Sequence, residues 1–124
     1  MSALEFINSQ MSLIGVAYEF DTWTSDIIYP YFVGELHEDE PTTEDGAETS
    51  YILLTGFNRG TYMMLESAKD TIKKHFDPIN GLRAKTDSGS IAVFFCGAFS
   101  IPSGEADLKK IQITLKIKEW KGAM

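Results

Sequence analysis

Basic residues are missing from the first part of this sequence. Residues 1–58 contain no Lys or Arg but eleven Asp and Glu, whereas residues 59–124 hold all eleven Lys and Arg against seven acids. The formal charges are −11 and +4, which leave −7 on the 124-residue chain. Such a balance argues against a protein that tracks nucleic-acid phosphates or adheres to an anionic membrane surface. Cysteine is almost absent as well. Cys96 is the sole thiol, so it can form no internal disulfide. Its place in the apolar run 92–96 predicts a small buried hydrophobe, and a lone reduced thiol suits an intracellular protein. No apolar run approaches the roughly 20 residues that cross a bilayer. Residues 1–5 lack the basic stretch that opens a signal peptide.

The patterns that carry catalysis or metal binding are missing too. The two histidines, His37 and His75, have no Cys or His at metal-ligand spacing. His75 falls near a helix C-terminus, where a cation is favoured, and is expected at the surface. There is no G-x-S-x-G, no H-E-x-x-H and no glycine-rich phosphate loop. Residues 35–48 include seven acids among fourteen positions, which raises the question of calcium. Aligning Gly46 with the central glycine of an EF-hand puts Pro41 where the first acidic ligand is required, so that match fails. The turn 58–61 can hold an anion at the start of a helix, but a plain turn with a cap explains it as well. The expectation is a non-enzymatic protein with no catalytic residue, cofactor or metal.

What is present is enough for one globular domain spanning 1–124: 44% hydrophobic residues, including eight Phe. Ser2 and Glu5 have capping-box spacing, and Leu4, Ile7, Met11 and Ile14 follow with helical period, predicting a helix over 3–14. Strands are expected over 16–20, 31–36 and 51–57. The acidic, proline-containing segment between the last two forms a long hairpin loop, with no apolar residues to fold it against a core. Leu65, Ala68, Ile72 and Phe76 mark one face of a second helix over 62–76, ended by Asp77-Pro78. Strands over 82–85 and 91–99 follow, the second apolar enough to be central. The clearest periodicity comes last: Ile111, Ile113, Leu115 and Ile117 alternate with Lys110, Gln112, Thr114, Lys116 and Lys118, predicting a long strand with one buried and one cationic face. The fold class is α+β: a mixed, mainly antiparallel sheet packed by two helices, with a long acidic hairpin loop and a long C-terminal strand. The other sheet face is exposed or meets a partner. Charge so polarised can be merely a solvated acidic surface. It can equally set the negative side of one protomer against the positive side of the next, and repeated head-to-tail contacts of that kind close into rings.

Several phrases resemble a known family. Tyr29-Pro30-Tyr31-Phe32-Val33-Gly34-Glu35 leads into Glu40-Pro41-Thr42-Thr43-Glu44-Asp45-Gly46; the strand, the helix at 62–76 and Ile101-Pro102-Ser103-Gly104-Glu105-Ala106-Asp107-Leu108 follow in order. This layout is similar to tail terminator (tail completion) proteins of long-tailed phages and prophages of Gram-positive bacteria. The resemblance implies a mixed α/β domain that forms a hexameric ring, caps the tail tube and offers the surface for head attachment. Its partners would be further copies of itself, the tail tube protein and a head-completion or neck protein, with DNA only as passing cargo and no membrane. It would assemble in the host cytoplasm and end in the virion tail or neck. The candidate interface residues are Glu38, Asp39, Glu40, Glu44, Asp45 and Glu48 in the acidic loop, together with Arg59, Lys110, Lys116 and Lys118. Two other readings stay open: another neck component such as a head-completion protein, and a small acidic inhibitor or immunity-type protein that binds a basic target.

Overall fold

The computed structural model describes residues 2–21, 23–24, 26–38, 48–86 and 89–121. Helix α1 (Ala3–Leu13) begins at the expected capping box: Ser2 Oγ accepts from the Glu5 N–H at 3.2 Å, and Glu5 Oε1 accepts from the Ser2 N–H at 3.1 Å. Phe6, Ile7 and Met11 are buried, and Leu4 and Ile14 pack at the margin of the same core. Gly15, at φ 76°, takes the left-handed turn that ends the helix. Strands β1 (Tyr18–Phe20), β2 (Tyr31–Glu38) and β3 (Glu48–Arg59) come next, then helix α2 (Met63–His75), then β4 (Leu82–Thr86), β5 (Gly89–Ile101) and β6 (Leu108–Lys121). Among the described residues no helix is long and apolar enough to cross a membrane.

All six strands form one sheet in the order β1-β2-β3-β6-β5-β4. The sheet is mixed. β1 lies parallel to β2, because the connection 21–30 carries the chain back to the starting end instead of turning in a hairpin; the β2–β3, β3–β6, β6–β5 and β5–β4 pairs are antiparallel. β3 and β6 occupy the middle. The apolar strand β5, expected to be central, stands next to the edge strand β4.

The buried row of β6 is as its alternation requires. Ile111, Ile113, Leu115 and Ile117 are all essentially inaccessible, flanked by Ile52 and Leu54 of β3 and by Val93 and Phe95 of β5. Leu65, Ile72 and Phe76 of α2 join Phe6, Ile7 and Met11 of α1 in one cluster with this row. Phe32 fits because its ring lies directly over Gly56, where any side chain would collide with it.

Two expectations fail for local reasons. Cys96 is exposed, not buried. With Val93 and Phe95 facing the core, alternation turns Cys96 to the opposite face, just before a bulge between Phe95 and Ala98 with Gly97 at φ 124°. His75 is half-buried instead of at the surface. Its Nε2–H donates to Gln10 Oε1 at 2.6 Å and its ring meets Phe76 edge-on, so it ties α2 to α1.

Candidate assembly interface

In an antiparallel pair, residues directly opposite share a face. The register therefore sets Phe57 beside Lys110, Thr55 beside Gln112, Tyr51 beside Lys116 and Thr49 beside Lys118, all on the side away from the helices. Tyr31 lies opposite Phe57 on the same face, and Phe94 lies opposite Lys116. This second face is half-buried rather than freely solvated, and aromatic rings interleave with its cations.

At one end, Tyr31 stacks on Phe57 with ring centroids 4.9 Å apart, and Trp23 leans on Tyr31 at 4.8 Å. The Lys110 ammonium stands 5.4 Å from the Phe57 ring. These groups, with Asp21, Val33, Glu35 and Thr55, line an open depression of about 520 Å³. Burial, and next the neighbouring Tyr29, push the Tyr31 phenol above its ordinary value, against a smaller lowering by Arg59. Toward the other end, Lys118 lies 5.7 Å from the Trp120 ring, and Arg83 stands 5.9 Å from both Phe94 and Trp120.

The candidate residues do not form one patch. Glu38 ends β2 and Glu48 opens β3, so both belong to the end of the sheet from which the acidic segment leaves. Asp39, Glu40, Glu44 and Asp45 lie outside the described residues. Arg59 stands at the other end of β3, roughly 36 Å from Glu48 at strand rise. It is an internal brace: Nη1 donates to Asp107 Oδ1 at 3.1 Å and Glu105 Oε2 at 3.2 Å, and the guanidinium lies over the Tyr29 ring. Hydrogen bonds to Tyr29 and then Glu105, followed by the charge of Asp107, raise its pKa. The Gly60 N–H donates to the Asp107 carbonyl, fastening the same turn to the β5–β6 connection. With Arg59 so engaged, the turn 58–61 is structural. Asn58, almost fully buried, closes it by donating to the Thr61 carbonyl at 2.8 Å.

Lys110, Lys116 and Lys118 do share the outer face of β6, with Lys110 about 20 Å from Lys116. Sequence reasoning missed the rings between them: Trp23, Tyr31, Phe57, Phe94 and Trp120. A signal existed. Tyr51, Leu53 and Phe57 are apolar in the phase opposite to Ile52 and Leu54, and a strand apolar in both phases is covered on both faces. Among the described residues there is no group of three His, Cys, Asp or Glu placed to hold a metal ion.

No family model matches the sequence, and no curated protein matches it. The fold, however, has a counterpart among solved structures. A chain from the virion of a native gene transfer agent (GTA) particle superposes with a TM-score of 0.65 at 11% identity, over 90% of this chain and 84% of that one. At that identity the likeness is one of fold.

Proposed function

We propose that this chain is a non-enzymatic structural protein of a phage or prophage particle. It assembles as a ring, a hexamer, on the end of the tail tube and provides the surface to which the head attaches. The fold shared with a virion component over nearly the whole chain is the observation that carries this reading. The rings on the outer sheet face support it as well, since aromatic side chains are enriched at interfaces relative to free surfaces. In this reading the acidic segment 38–48 reaches the tube or lines the channel. There its negative charge keeps passing DNA from adhering, because no counterions are released on contact. Assembly takes place in the host cytoplasm before incorporation into the tail or neck.

The test is genetic and biochemical. Deleting the gene from an inducible prophage is expected to yield filled heads and separate tails, with the protein present by mass spectrometry in complete wild-type particles. Normal infectious particles from the deletion, or absence of the protein from purified particles, would overturn the reading. Binding to a portal complex but not to tube would reassign the chain to the head side of the neck.

A further inference from the structure

The strand order converts charge segregation along the sequence into segregation across the sheet. β1, β2 and β3 come from residues before Gly60, where Lys and Arg are confined to Arg59; β6, β5 and β4 come from the basic part. The two edges of the sheet are therefore unlike, and each carries exposed apolar groups. On the β1 side, Phe20 is 41% and Ile28 66% accessible, beside exposed Asp21 and Asp26. On the other side, Phe99 is 58% accessible and Ile79 is more exposed still, on the edge whose outermost strand carries exposed Arg83 and Lys85.

The edges are also stepped, in opposite senses. β1 covers only residues 32–34 of β2, and no described strand pairs with the outer side of residues 35–38. β4 covers only residues 89–93 of β5, and no described strand pairs with the outer side of residues 96–101. Following the register across the sheet, Phe20 aligns with Gly34, Leu54, Ile113 and Ala98, and Tyr18 aligns with Phe32, Gly56, Ile111 and Ser100. The projecting β1 thus stands level with the notch beneath β4, whereas at the other end only Leu82 of β4 reaches the level of Glu38.

We infer that protomers join head to tail, with β1 of one copy seated in the notch beside residues 96–101 of β5 of the next. β1 and β5 run in opposite directions, so their backbone edges meet in antiparallel sense and can extend the sheet. The acidic half of one sheet then meets the basic half of the next, whereas two identical edges would oppose like charges. Matching heights give little rise per protomer, the condition for a heterologous contact to close into a ring and not a filament. The inference rests on the ring reading above and names its two surfaces.

Edge-specific variants test it by sedimentation over rising concentration, with folding verified by circular dichroism. Ile28→Arg spoils the first edge and Phe99→Asp the second; each is expected to weaken self-association at least tenfold. An equimolar mixture is expected to form a discrete heterodimer, since each variant retains one intact edge and the two are complementary. A mixture that stays monomeric while the wild-type chain forms rings would overturn the edge assignment and leave the ring standing. Assembly of either single-edge variant at wild-type strength would do the same. A wild-type chain monomeric at every concentration would remove both.

Discussion

Tyr18 is the residue whose environment departs furthest from its chemistry. Its ring covers Gly34, where any added side chain would strike the phenol, and its hydroxyl is buried without a hydrogen-bond partner among the described residues. Burial pushes the phenol up to about 12 from 10.0. The folded state therefore holds this proton more tightly than the unfolded chain does. The corresponding stability is complete below pH 10 and is lost as pH rises toward 12. Tyr18→Phe is expected to leave stability at neutral pH unchanged or raise it by about 1 kcal/mol, since a desolvated unpaired hydroxyl is a cost. It should also flatten the alkaline decline; urea unfolding at neutral and alkaline pH measures both. Asp77 behaves in the opposite sense. Its carboxylate accepts from the N–H groups of Asn80 and Ile79, which lower its pKa below 3.8. That contribution is present above pH 3.8 and disappears as pH falls through the lowered value. Asp77→Ala should lower Tm at neutral pH, and the difference from wild type should vanish in strong acid.

At the scale of elements, β6 joins the two halves of the sheet and should tolerate change least. Ile113→Ala is expected to cost about 2–5 kcal/mol through lost burial and the cavity left behind, while Gln112→Ala on the other face should cost under about 0.5 kcal/mol. Equal losses in chemical denaturation would mean the two faces of the strand are not distinct. Gly56 tests the contact between β2 and β3: Gly56→Ala should destabilise by about 1–3 kcal/mol through collision with the Phe32 ring. Phe32→Leu in the same chain should recover part of that loss, a coupling that a double-mutant cycle reads directly. These elements were legible in the sequence because period and caps are local. The capping box of α1, the apolar face of α2 and the alternation of β6 each lie within a few residues. Cys96 was misread because an apolar run does not show which of its two phases meets the core, and His75 because its partner Gln10 belongs to the other helix.

At the scale of the molecule, the polarity is electrostatic, so association should weaken as added salt screens the edges. The Debye length falls from about 10 Å at 0.1 M to about 3 Å at 1 M. Sedimentation at the two salt levels measures this, and salt-independent association would assign the affinity to apolar contacts alone. Replacing residues 39–47 by a tight turn should leave Tm unchanged, because β2 and β3 remain paired from Tyr31–Phe57 to Glu38–Ser50. Particle completion should fail; full completion with the shortened chain would reduce the loop to a solubilising surface.

By itself the sequence determined the order of the principal elements, the buried faces of α1, α2 and β6, the polarised charge and the lack of a familiar catalytic or metal-binding pattern, since each depends only on residue type and spacing along the chain. Only tertiary structure decided the rest. Placing β6 between β3 and β5 keeps the acidic and basic parts on opposite sides of one sheet, and the short strands β1 and β4 leave a step at each of its edges. Arg59 became a brace because Glu105 and Asp107, far away in sequence, fold beside it. The rings on the outer face acquired neighbours only when strand register aligned them with the lysines of β6, and register between distant strands is settled by the burial of the shared core, not by any local pattern.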